Sequence, residues 1–271
     1  MATYRAYYDD SGTHDASGWP IVAGVIATPH GSATLTTEWA GTLRGFGLTF
    51  FHAKDCWARQ GHCAGWPRER SRACFETLAG ALTSHVLATV AVGVSVADVE
   101  RLFPTKVVDY LGGSKETAVV IASYSCMYQT HALLRDRIGD PHPAVDHTFS
   151  RGFPGYGKVL AIGAFERSSR RRGTDNLGPV AAGRMDEVPM LQAADLMAWE
   201  VNRQRVNEFK PAPLPARDDL ARLAALPRFW AIHSPESLGA WVLRLSWMHA
   251  QQQLGPNART PRQSPRTRRV D

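Results

Sequence analysis

The 271-residue chain contains no glycine-rich phosphate loop of the Walker or the dinucleotide type, no internal repeat and no pair of cysteines in C-x-x-C spacing. These absences exclude a P-loop nucleotidase, a nicotinamide or flavin dehydrogenase of the usual kind, a solenoid and a dithiol oxidoreductase. Cysteine is scarce, with four residues, Cys56, Cys63, Cys74 and Cys126. No secretory leader precedes them, so reduced thiols and a cytoplasmic location are expected. His52, Cys56, His62 and Cys63 crowd one short stretch, but their spacing is irregular where structural zinc uses regular short spacings. Charge is missing from Thr77 to Ala97, a run long enough to cross a bilayer. It carries Ser84, His85 and Ser95, and its pattern changes from helical "FETLAGALTSH" to β-branched "VLATVAVGVSV". A core helix followed by a buried strand accounts for it.

What is present fits a folded mixed α/β chain. The hydrophobic fraction of 44% and charged fraction of 21% suffice for a sizeable core. The net charge of +6 is uneven, because the last segment, "GPNARTPRQSPRTRRVD", sets five arginines against one acid. Residues 255–271 therefore read as a disordered basic tail.

Alternation of Tyr4, Ala6 and Tyr8 with Arg5, Tyr7 and Asp9 predicts a first strand over Thr3 to Asp9. The apolar run "PIVAGVIAT" predicts a second, joined to the first as an antiparallel hairpin. Helices are expected over Thr34 to Phe46, from Pro67 to about His85, and from Ser114 as N-cap to Ile138 with Gly139 as the stop. Val86 to Val96 reads as a buried strand, and "PAVDHTFS" as a short one with Asp146, Thr148 and Ser150 on one face. A helix near Val159 to Arg167, the basic loop "RSSRRRG", and a helix in "MDEVPMLQAADLMAWEVNR" with Pro189 in its first turn follow. The joint "KPAPLPA" leads to a last helical region ending near Leu254.

Two features carry chemistry. "YYDDSG" places Asp9 and Asp10 side by side where the first strand meets a turn, and like charges there cost stability unless water, a base or a cation takes them up. In the late helix, at about 100° per residue, Leu191, Ala194, Ala198 and Val201 form an apolar arc with Asp195 at its edge beside Gln192 and Trp199. Leu196 and Met197 extend the apolar surface, leaving Glu200 as the solvent-facing charge. Asp195 is thus expected buried or half-buried, which requires a partner: an Arg, a His or a backbone cap, or a metal ion shared with Asp9.

"YYDDSG", "FFHAKDC" and "VPMLQAADLMAWEVNR", in this order, resemble the D-E-S-G turn, H-x-x-D-like element and L-Q-x-A-D-x-x-A helix of the domain-of-unknown-function 3800 family. The resemblance runs from about Tyr4 to Arg203, and the late helix is its specific part. It implies a ribonuclease H-like fold: a mixed sheet whose first three strands are antiparallel, flanked by helices, with acids at the sheet centre. On this reading residues 1–210 are the core and 211–254 a C-terminal helical extension. Asp9 and Asp195 are the expected metal-binding and catalytic acids, with His52 and Asp55 in the middle element, Asp10 where the family usually has Glu, and Gln192 in support. A further acid is expected on or after the fourth core strand: Asp146 offers one, whereas alignment at Ser150 means that a ligand has been lost.

In such a site carboxylates suit Mg²⁺ or Mn²⁺, and two such ions about 4 Å apart serve phosphodiester hydrolysis. His52 would orient water or assist proton transfer. The implied substrate is nucleic acid, DNA or RNA, with Arg167, Arg170, Arg171 and Arg172 available to phosphates; no membrane partner is expected. A divalent-metal-dependent nuclease is the leading reading. A non-catalytic nucleic-acid-binding or assembly module with the same fold is the alternative, and hydrolysis of another phosphate ester is a third.

Overall fold

The structure, a computed structural model, describes residues 3–13, 18–169, 177–213 and 217–253. Its elements follow in the order β1 (Thr3–Ser11), β2 (Ile21–Ala27), α1 (Pro29–Gly45), α2 (Ala53–Ala58), α3 (Arg68–His85), β3 (Ala88–Gly93), α4 (Val96–Leu102), α5 (Thr105–Leu111), α6 (Ser114–Leu133), β4 (Ala144–Ser150), α7 (Tyr156–Ser169), β5 (Leu177–Gly183), α8 (Pro189–Glu208), α9 (Asp218–Ala225), β6 (Arg228–Ile232) and α10 (Pro235–Gln253). Among the described residues one sheet forms, in the order β5-β4-β1-β2-β3-β6. β1, β2 and β3 pair antiparallel, while β4, β5 and β6 add in parallel to β1, β4 and β3. This is the mixed sheet expected of a ribonuclease H-like chain.

Period-two alternation divides the strands between two cores. Tyr4, Ala6 and Tyr8 of β1, with Val22 and Ile26 of β2 and Val90 and Val92 of β3, pack on the α6 side. Tyr7, Ala23, Val25, Ala27 and Ala91 point the other way, toward α1, α3 and α8. α6 is buried almost all round, as expected of a helix covered by the sheet on one side and by α4, α5 and α7 on the others. It ends in a π-helical turn, Leu134–Ile138, and stops at Gly139, whose φ of 83° needs no side chain. On the opposite layer α8 lies against β1 and β2, and Ala193, Ala194 and Ala198 are buried there.

Two strands were not anticipated. β5, "LGPVAAG", is an edge strand poor in β-branched residues and interrupted by Pro179, a residue tolerated at edges. β6, "RFWAI", lies in the stretch expected to be a purely helical extension. It pairs with β3 from Thr89↔Arg228 to Gly93↔Ile232, so 211–254 contributes a strand to the core sheet as well as two helices. The basic tail, 255–271, lies outside the described residues.

At the sheet centre Tyr8 pairs with Gly24 across β1 and β2. A Cβ at Gly24 would stand 2.4 Å from Cδ1 of Tyr8, so the ring lies directly over the glycine. Gly24→Val must push that ring aside in a close-packed layer, and it is expected to lower stability by about 2 kcal/mol. Urea denaturation checks this as a lower midpoint at unchanged slope; a wild-type midpoint would contradict the packing.

Candidate active site

Asp9 lies near the C-terminal end of β1 on the α8 side of the sheet, and Asp195 lies on α8 across from it. Both carboxylates are buried, each with 5% of its surface exposed, and they stand close enough to act on each other. Asp9 accepts hydrogen bonds from the Ser150 hydroxyl and from the backbone N–H of Asp10. Oδ2 of Asp195 accepts from the backbone N–H of Ala53 at 2.6 Å, at the first residue of α2.

His52, the residue preceding α2, sits between two acids. Its Nδ1 is 3.0 Å from Oδ2 of Asp55 and its Nε2 is 4.0 Å from Oδ1 of Asp195. Gln192, one turn before Asp195, ties three segments together. Its Oε1 accepts from Trp39 Nε1 at 3.1 Å and from the backbone N–H of Phe51 at 3.0 Å, and its Nε2 donates to the carbonyl of Met185 at 2.8 Å. The turn after Asp9 is also braced: Thr13 Oγ1 donates to Oδ2 of Asp10, and Lys115 Nζ donates to the carbonyl of Thr13. Thr13 and Lys115 were missed from sequence, because nothing local shows that the start of α6 reaches the turn after β1.

The electrostatics are one-sided. Burial, then the Asp195 and Asp10 carboxylates, holds the Asp9 carboxyl well above the usual carboxylate range, and the hydrogen bonds from Asp10 N–H and Ser150 offset this in part. Burial pushes Asp195 up to about 6, with Asp10 and Asp55 adding to the rise while His52 and the Ala53 N–H oppose it. Among the described residues no lysine or arginine forms a salt bridge with either acid.

The structure brings together Asp9, Asp10, Asp195, His52 and Asp55, with Gln192 as their brace. It does not bring Asp146. The β1–β4 register sets Asp146 opposite Arg5 and Tyr8 opposite Phe149, so Ser150 is the β4 residue beside Asp9. Asp146 shares the face but lies four residues down the strand, about 13 Å away. The expectation that Asp146 supplies a third ligand is therefore corrected, and Ser150 occupies its place. Among the described residues no group of three or more His, Cys, Asp or Glu side chains is arranged to hold a metal ion. The zinc-like crowd at 52–63 is likewise no metal site: Cys56 and Cys63 are buried thiols, and burial helps push Cys63 up to about 12. Glu200, expected to face solvent, is 1% exposed and bonds Arg217 Nη1 at 3.0 Å. Arg167 lies in α7, and Arg170, Arg171 and Arg172 lie outside the described residues.

No protein-family model matches the chain, and a comparison with curated proteins finds no match. Among solved structures, the chain is similar to Bst-RNase HIII in complex with Mn²⁺, at a TM-score of 0.42 and 13% identity over 92% of this chain. It spans 62% of that protein's length. It is also similar to RNase HII from Archaeoglobus fulgidus, solved in a complex with PCNA, at a TM-score of 0.38 and 13% identity, covering 100% of this chain and 98% of that one. The strand order, rather than these scores, carries the assignment: the chain has a ribonuclease H-like fold. No helix among the described residues is long and apolar enough to cross a membrane.

The raised carboxyls have a consequence for stability. Between the ordinary Asp value near 4 and about 6, the folded chain holds a proton on Asp195 that the unfolded chain has released, so stability falls as pH rises across that window. Asp195→Asn removes the charge and keeps an acceptor for Ala53. In metal-free buffer at about pH 8 its melting temperature is expected to exceed wild type by roughly 5 °C, with the difference vanishing near pH 4. A wild-type or lower value at the higher pH would contradict the pairing of buried like charges.

Proposed function

We propose that the chain is a divalent-metal-dependent nuclease of the domain-of-unknown-function 3800 kind, hydrolysing phosphodiester bonds of nucleic acid at Asp9 and Asp195. The observation that supports this reading is the buried carboxylate pair, contributed by the central strand and α8 and left without a lysine or arginine among the described residues. Two carboxylates raised by burial and by neighbouring acids are hard oxygen donors short of positive charge, which fits Mg²⁺ or Mn²⁺. With Ser150 beside Asp9, the two carboxylates Asp9 and Asp195 are donors for a single ion rather than for the two-ion arrangement. When bound, the ion supplies charge to polarise a phosphodiester and to lower the pKa of water.

The chain's own groups divide the remaining work. Asp55 fixes the His52 ring through Nδ1, which leaves Nε2 on the side of Asp195. His52 is 38% exposed at its side chain, so it can orient water or take a proton from it. Ser150 holds the Asp9 carboxylate in place.

The alternative, a non-catalytic nucleic-acid-binding or assembly module, is favoured by one observation, the serine at the place of the further acid. Calorimetric titration with Mn²⁺ separates the two. One ion is expected to bind per chain, and Asp9→Asn or Asp195→Asn is expected to weaken binding at least tenfold and to slow Mg²⁺- or Mn²⁺-dependent cleavage of nucleic acid by roughly a hundredfold or more, about 2.7 kcal/mol. Cleavage at the wild-type rate in either variant refutes the assignment, and ion binding without cleavage favours the module.

A further inference from the structure

A groove of about 790 Å³ opens between α2, α3, α8 and α9, away from the carboxylate pair. Five arginines line it, Arg59, Arg68, Arg72, Arg203 and Arg217, against the acids Glu69, Glu76 and Asp218. Two of the five are built into its wall: the guanidinium groups of Arg203 and Arg217 each lie 4.2 Å from the ring centre of Trp57. Glu200 holds both from beneath, 3.0 Å from Arg217 and 3.9 Å from Arg203. Stacking and ion pairing fix these planar cations before any ligand arrives. Arg72 is tied to Glu76 at 2.7 Å. Among the described residues Arg59 and Arg68 form no such salt bridge, and they stand at the two helix ends that border the groove, after α2 and at the start of α3.

Arg59 carries a second signal. It is the one residue other than glycine with positive φ among the described residues, at 56°, and it stands where α2 ends. Glycine is the residue such a helix end prefers. A side chain at this φ costs stability relative to glycine, and the one present lines the groove. α2 also connects the groove to the acids. Its first N–H binds Asp195 and its last residue adjoins Arg59, and a helix of six residues is about 9 Å long.

We infer that this groove is the track for a single nucleic-acid strand, whose phosphates are held by Arg59, Arg68, Arg203 and Arg217 while the scissile bond lies at Asp9 and Asp195. The inference rests on the nuclease reading for its end point. Its affinity is electrostatic, because the arginines of the lining outnumber its acids and meet phosphates. A concave site of ligand-pocket size takes one strand rather than a duplex.

The test is fluorescence anisotropy of a labelled single-stranded oligonucleotide, as DNA and as RNA, in EDTA so that nothing is cut, across a salt series. The variant is Arg59→Gly with Arg68→Gln, two exposed changes of which the first relieves the strained backbone. It is expected to melt at or above the wild-type temperature, to weaken binding about tenfold and to reduce the salt slope by about 1.4. Asp9→Asn is expected to bind the strand at least as tightly as wild type. Wild-type affinity and slope in the arginine variant overturn the track, as does tighter binding of duplex than of single strand, or competition by polyglutamate equal to that by oligonucleotide. Groove-dependent binding without cleavage by the wild type refutes the nuclease and leaves the track standing; cleavage with groove-independent binding does the reverse.

Discussion

Asp9 and Asp195 are kept beside each other out of water although the Asp195 carboxylate strengthens the hold of Asp9 on its proton, and the local architecture has to supply the restraint that their charges oppose. The sheet supplies half of it. Asp9 belongs to a strand paired on both edges, with β2 and β4, so its backbone cannot swing away without breaking ladder hydrogen bonds. The other half comes from α8, packed on β1 and β2 through small buried residues that let its backbone approach the sheet. A pair of this kind is unfavourable to folding by itself. It is the sort of local conflict that a folded chain tolerates where a ligand resolves it.

The segment before α2 is placed by the same helix. Phe51 and Ala53 are alternate residues flanking His52, whose φ of −131° and ψ of 119° are extended, so their amides point the same way. One turn of α8 meets both, with Gln192 taking the first and Asp195 the second. The spacing of three between glutamine and aspartate in "LQAAD" thus matches the spacing of two in an extended chain. His52 is presented beside Asp195 by main-chain geometry, and Asp55 orients its ring. Gln192 is therefore a positioning residue: its carboxamide is used up on Trp39, Phe51 and Met185.

How much of this could be read from the sequence follows from the range of each signal. Alternation in "TYRAYYD" and the unbroken apolar run "PIVAGVIAT" report faces and burial within one element, and both hold in the hairpin of β1 and β2. The helical arc that marked Asp195 as buried works the same way. Asp146 shows the limit. A period of two tells which face a strand residue takes but not which residue it meets on the next strand, and the parallel register of β1 and β4 moves Asp146 four residues from Asp9 while leaving it on the expected face. Glu200 fails for a related reason: the helix wheel carries no sign of the cation that covers it, Arg217, which arrives from beyond the proline-rich joint. β5 and β6 are edge strands, paired on one side alone, and edges carry the weakest sequence pattern.

The face of β1 turned away from the acids explains why the central strand holds its position. Tyr8 is fully buried there, over Gly24, and its hydroxyl meets Thr130 Oγ1 and His147 Nδ1, each at 2.9 Å. Nε2 of His147 lies 3.3 Å from Nε2 of His131. Burial and His131 hold His147 well below the usual imidazole range, so this ring is neutral. A hydrogen-bonded network under the sheet and an unbalanced acidic pair above it differ in what they ask of solvent: the first finds its partners within the chain, and the second does not. Because successive residues of β1 serve the two, the ring of Tyr8 anchors the strand at the position adjoining Asp9. The carboxylate can then relax by taking up a proton or a cation, but not by moving away.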